Sequence, residues 1–184
     1  LWQECDGLIR EAMARILGVP LTSTQWQQAQ LPVKMGGLGL SSAWDHAPAA
    51  YTTSYLAAHN LKLTILNKTE QESPPVIAMD MLDYLSMKTG EDTTLDSLIG
   101  TTQSAVSLTI NLKKHQLLNQ TISGLGVTRE IARLASVGLP HSGDWLNVLP
   151  NPALGLAMDP AEFIVSVKYR LGVKVFSTGG QCPA

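Results

Sequence analysis

The sequence predicts an all-α, or nearly all-α, fold: an irregular multi-helix bundle built around a buried, glycine-rich turn. Three observations carry this. Apolar residues recur at helical spacing in several segments longer than ten residues. Helix start and stop residues bracket those segments. Between two of them lies Leu31-Pro-Val-Lys-Met-Gly-Gly-Leu-Gly-Leu40, where Gly36, Gly37 and Gly39 alternate with apolar side chains. Glycine is placed where the backbone needs positive φ or where another backbone comes very close, and apolar neighbours make such a turn a packed one.

The first helix is predicted over residues 2–17, with Leu8, Ala12, Arg15 and Ile16 at helical spacing and Gly18 and Pro20 as its stop. Ser23 or Thr24 is placed to cap a short second helix through Trp26 and Ala29. After the glycine turn, Ser42 with Asp45 three residues on has capping-box spacing and opens a third helix to about His59. Pro48 lies inside it, so a kink or a later start is expected. Residues 67–75 are polar and end in Pro74-Pro75, the best loop in the chain. A helix follows from Val76 to Lys88, closed by Gly90, and then a short apolar element at 95–99. Thr101–Ser123 reads as the longest helix, broken by Gly124 and Gly126. Thr128 is placed to cap Arg129–Val137. Residues 141–158 read as an ordered loop. Asp159-Pro-Ala-Glu162 combines an Asp cap, Pro at the first helical position and Glu at the third, and starts a helix to Gly172. Val173–Phe176 is a candidate short strand. The division expected from this pattern is 1–66, a linker at 67–75, and 76–184.

Composition limits function. Hydrophobic residues make up 45% of the 184 and charged residues 15%, against about 25% charged in an ordinary soluble domain. Some apolar surface is therefore expected to be covered by a neighbouring domain. The net charge of −2 gives no overall case for nucleic-acid binding, which favours a basic excess. No apolar run approaches the ~18 residues of a membrane span, and Leu1–Ile9 lacks the basic start of a signal peptide. Two cysteines, Cys5 and Cys182, are not a disulfide framework and read as reduced thiols of an intracellular protein. Leu rather than Met at position 1 reads as a piece of a longer chain.

Catalytic chemistry has few candidates. His46, His59, His115 and His141 have no metal-spaced partners. Asp80 and Asp83 share a predicted helix face at i, i+3, a spacing that suits divalent-ion or acid–base work but more often marks a solvated face. Gly-Gly-Leu-Gly lacks the preceding strand and Lys-Ser/Thr of a phosphate loop. Lys113-Lys114, Arg129/Arg133 and Lys168/Arg170/Lys174 are small basic groups, of which the last is the best phosphate candidate. Cys182-Pro-Ala184 has the start of a Cys-x-x-Cys zinc knuckle, with the chain stopping where a second ligand would fall.

Two blocks together resemble a known pattern. The first is Ile16-Leu-Gly-Val-Pro20, Gln25-Trp26, Gln30 through Leu40 and Ala47-Pro48-Ala49-Ala50-Tyr51. The second is Gly143-Asp-Trp-Leu146, Leu149-Pro150, Leu154-Gly-Leu156, Glu162-Phe163, Lys168-Tyr-Arg-Leu-Gly172 and Cys182-Pro183. In order and spacing they resemble the thumb and linker downstream of the polymerase core in non-LTR (LINE-type) retrotransposon reverse transcriptases. The resemblance implies a segment of an RNA-directed DNA polymerase that holds template–primer RNA/DNA through backbone contacts, beside a polymerase domain and ahead of a zinc knuckle. It implies a cytoplasmic and nuclear location. No Asp-Asp dipeptide occurs in the chain, so the polymerase's metal-binding carboxylates have no counterpart and the segment is expected to be non-catalytic. Candidate phosphate contacts are Arg10, Arg15, Lys34, Lys168, Arg170 and Lys174. Cys182 is the candidate zinc ligand, and zinc is expected only with ligands beyond Ala184. The alternative is a stand-alone helical protein–protein interaction module, favoured by low charge and apolar helix faces. An enzyme using Asp80 and Asp83 ranks third.

Overall fold

A computed structural model describes residues 1–67 and 74–175, the side chain of Asn60 apart. Among these residues the secondary structure is helical, without strands: α1 (Trp2–Leu17), α2 (Ser23–Gln30), α3 (Ala43–Leu66), α4 (Val76–Thr89), α5 (Leu95–Leu98), α6 (Gln103–Gly124), α7 (Thr128–Val137) and α8 (Pro160–Leu171), with 3-10 turns at Val33–Met35, Asp144–Leu146 and Pro152–Leu154. The all-α expectation holds. Val173–Val175 is not a strand, and Phe176 lies outside the described residues.

Caps explain most boundaries. Asp159 accepts from Ala161 N at 2.7 Å, and Glu162 Oε2 accepts from Asp159 N at 3.1 Å, so both halves of the expected capping box form. Thr22, rather than Ser23 or Thr24, caps α2, with Gln25 as its reciprocal partner at 3.0 and 3.2 Å. Three neighbouring hydroxyls made the position ambiguous, and the glutamine three residues after Thr22 decides it. Thr128 is the first residue of α7, after Val127, rather than its cap. Helix α3 passes Pro48 and continues beyond His59 to Leu66, ending on Asn67 in the left-handed conformation.

The chain divides into two compact units, at Ser41/Ser42 and at Lys114/His115, rather than at 67–75. The residues on either side of 67–75 belong to helices that pack on each other: α3 lies against α4 and α5. Their shared core is Ala49, Leu82, Leu85, Leu98, Val106 and Ile110, with Leu56 and Leu95 alongside. This inserted unit, 42–114, has an ion cluster at the start of α3. Asp45 is 6% exposed and receives Lys88 Nζ and Lys114 Nζ, each at 2.7 Å. Burial pushes its carboxyl up, but hydrogen bonds and charge from Lys114 and Lys88 outweigh that and hold it below the usual carboxylate range. Burial disfavours the charge on Lys88, but hydrogen bonds and charge from Asp45 and Tyr84 more than compensate and hold its pKa above the usual lysine value.

Asp45→Asn is expected to destabilise the inserted unit by about 2 kcal/mol. That is less than the roughly 3–5 kcal/mol of a fully buried pair, because Lys88 keeps some contact with water. A depressed carboxylate contributes stability above its unfolded pKa, and that stability is lost as pH falls through the folded value. Urea midpoints of this unit should therefore fall in wild type below about pH 4, and fall less in Asp45→Asn. Equal acid sensitivity of the two would remove Asp45 as its source.

The other unit is discontinuous, formed by residues 3–41 and the chain from 115 onward. Helix α2 packs on α8, as does α7. One apolar cluster joins Leu17, Leu21 and Ala29 to Val167, Leu171 and Val173, with Trp26 and Trp145 packed against it. A second gathers Leu31, Leu118, Ile122, Leu134 and Val137, with Met35 alongside.

Candidate nucleic-acid interface

The glycine turn is the centre of the discontinuous unit. It folds back on the end of α2, so that Leu38 N and Leu40 N both donate to Ala29 O, at 3.1 and 3.2 Å, and Gly39 N donates to Leu31 O at 2.8 Å. Carbonyls at a helix C-terminus lack intrahelical partners, and the returning chain supplies them. Gly37 makes this possible. A Cβ there would fall on the Leu31 carbonyl and 2.6 Å from Gln28 O, both backbone atoms.

A buried polar knot fixes the turn to the second half of the unit. Gln28, 1% exposed, donates through Nε2 to Gly36 O at 2.9 Å and to Arg170 O at 2.8 Å. Its Oε1 accepts from Arg133 at 3.1 Å. Arg133 also donates to Arg170 O and pairs with Glu130 at 2.8 Å. Arg170, 2% exposed, directs Nε to Gly37 O at 2.9 Å, one terminal nitrogen to Ser142 O at 3.1 Å and the other to Val33 O at 2.7 Å. Burial lowers the pKa of this guanidinium, whose fork geometry still matches three carbonyls at once. Gln25 adds a link to Gly172 O at 3.0 Å.

Arg170 is therefore a correction to the phosphate-contact set: it points inward and holds backbone. Arg10 is partly turned to structure as well, donating to Leu21 O at 2.7 Å. Arg15, Lys34 and Lys174 are exposed, and Lys168 is half-buried. The knot places three of these on joined segments. Lys34 follows Val33, whose carbonyl Arg170 holds, and Lys168 and Lys174 bracket the end of α8. Arg133, noted in the sequence only as half of a basic pair with Arg129, is a buried member of the knot. Its signal was the i, i+3 spacing from Glu130.

Cys182 lies outside the described residues. Among the described residues no group of three or more His, Cys, Asp or Glu side chains is placed to hold a metal ion, and no helix is long and apolar enough to cross a membrane. Asp80 and Asp83 are both exposed on α4. No protein-family model, curated protein or solved structure matches the chain.

Proposed function

We propose that the chain is a non-catalytic segment of an RNA-directed DNA polymerase of the non-LTR retroelement kind, bracing template–primer nucleic acid next to the polymerase domain. One observation supports this most. The two blocks that carry the resemblance, about a hundred residues apart in sequence, meet in one knot: Gln25 bonds to Gly172, and Arg170 bonds to Val33 and Gly37. Residues shared with a family are then shared because they hold one substructure. In this reading the exposed cations Arg15, Lys34 and Lys174, with Lys168, face phosphate, and zinc joins only through Cys182 and ligands outside the chain.

Sequencing the locus on both sides tests the parentage. An upstream aromatic-x-Asp-Asp frame and downstream His and Cys ligands are expected, and a start codon before Leu1 with a stop after Ala184 would overturn it. The binding role has a separate test. An RNA/DNA duplex should bind the chain with affinity that falls steeply as salt rises. The Lys34→Ala/Lys174→Ala variant should lower the slope of log K against log salt by about 2. Absence of binding at low salt would remove that role.

A second reading, a helical protein–protein module, is favoured by a cavity of 520 Å³ among Ile16, Trp145, Leu149, Leu156, Met158 and Phe163. Leu149 is 86% exposed beside it. Concentration-dependent sedimentation without duplex binding would select this reading.

A further inference from the structure

We propose that the inserted unit docks a basic amphipathic peptide segment of a protein partner in the groove between α3, α4 and α5. The groove has a volume of 860 Å³, within the roughly 300–1,000 Å³ range of ligand-sized sites. Its floor is the outer wall of the unit's own core: Leu56, Leu82, Leu95 and Leu98. Met79, half exposed on α4, stands at its side. That surface suits one or two aliphatic side chains of an incoming segment.

The charge of the groove selects the segment's sign. Asp83, Asp92 and Asp96 line it, and none of the described lining residues is Lys or Arg. His59 also lines it, and its buried Nδ1 has no hydrogen-bond partner among the described residues. Three carboxylates around an apolar floor complement lysines or arginines flanking an apolar anchor and repel an acidic segment or nucleic acid.

The wall that carries these carboxylates is held in place. Thr93 N donates to Ser86 Oγ on α4 at 2.9 Å, and Glu91 N to Thr89 Oγ1 at 3.3 Å. Thr94 and Ser97 cap α5 reciprocally at 3.0 and 3.2 Å. A preformed wall limits the ordering cost of binding. The groove lies wholly within the inserted unit and involves none of the residues assigned to phosphate contact.

The test titrates the full chain with a short synthetic peptide of leucines and lysines at helical amphipathic spacing, and with its counterpart carrying glutamate for each lysine. Methyl NMR of methionine-labelled protein reads the site. The expected result is a saturable shift of the Met79 methyl with the lysine peptide, which the glutamate peptide does not produce. Asp83→Asn/Asp92→Asn/Asp96→Asn should weaken binding about tenfold at low salt, and added salt should weaken it in wild type. Because all three aspartates are exposed, the variant is expected to fold, and the wild-type salt titration does not depend on it. Equal response to both peptides, an affinity indifferent to salt, or no shift at Met79 would overturn the proposal. So would sedimentation showing that the groove is closed by a second copy of the chain.

Discussion

Gly37→Ala is expected to prevent the discontinuous unit from folding. The added methyl would occupy the position of the Leu31 carbonyl and press on Gln28 O. Neither neighbour is the end of a flexible side chain. Both carbonyls lie at the end of α2 and are fixed there, Leu31 O by Gly39 N of the returning turn and Gln28 O by Leu31 N. Moderate overpacking costs about 1–3 kcal/mol when side chains can shift. With backbone on the receiving side, the cost should be on the order of 4 kcal/mol or more, a large part of a typical domain's stability of about 5–15 kcal/mol. Gly39→Ala supplies the contrast. Gly39 has φ +75°, but its Cβ would meet only Val33 Cγ2 at 3.7 Å, so the left-handed backbone alone should cost about 1–2 kcal/mol. Amide hydrogen exchange at α8 measures both, with α4 in the inserted unit as an internal reference. A Gly37→Ala protein with native protection at α8 would refute the close-packing role.

Arg170→Met should have the next largest effect. Methionine keeps most of the length and the apolar contacts of the side chain but removes the guanidinium donor from the carbonyls of Gly37, Ser142 and Val33, of which Val33 O keeps its bond from Gly36 N at 3.0 Å. Each buried unsatisfied acceptor costs about 1–3 kcal/mol. Relief from burying a guanidinium offsets part of this, so a net loss of roughly 3 kcal/mol is expected. Arg170→Lys should recover little, because an ammonium on a flexible stem cannot address three carbonyls in a planar fork. Urea unfolding followed through α8 amide protection would show it. If lysine restored full stability, charge rather than fork geometry would be the operative property. The same experiment separates a structural arginine from a phosphate-binding one: the loss should appear with no nucleic acid present.

The sequence was informative where structure is local. Asp159 and Glu162 fall within one turn of helix, and their capping box formed as expected. The left-handed stops at Gly18, Gly90 and Gly172 also depend on their immediate neighbours. That the glycine turn would be buried was legible from Met35 and Leu38 around it. What holds it was not, because Arg170 is 133 residues from Gly37, and local spacing carries no record of that contact. The unit boundary was misplaced for a similar reason. A polar, proline-ended stretch at 67–75 has the composition of a linker, yet the helices α3 and α4 on either side of it pack on each other. The actual divisions lie beside Ser42, a helix cap, and inside the continuous helix α6, where composition shows no change. The acidic groove joins Asp83 on α4 to Asp92 and Asp96, residues that the sequence pattern distributes among a helix, a loop and a short turn.

The interrupted layout of the discontinuous unit has a consequence for the order in which the protein matures. A ribosome delivers residues 3–41 first, then the whole inserted unit, and only much later α8. Until Arg170 emerges, the carbonyl of Gly37 lacks its side-chain donor and that of Val33 has only the local bond from Gly36 N. Leu17, Leu21 and Ala29 meanwhile await the Val167 and Leu171 that will cover them. The inserted unit, with its core complete by Ile110, can collapse in that interval and shorten the effective loop to be closed, which lowers the entropic barrier to the late docking of α8. Chains arrested before α8 should therefore protect the amides of α4 while leaving those of α2 open to exchange, and releasing the final segment should protect those of α2 as well.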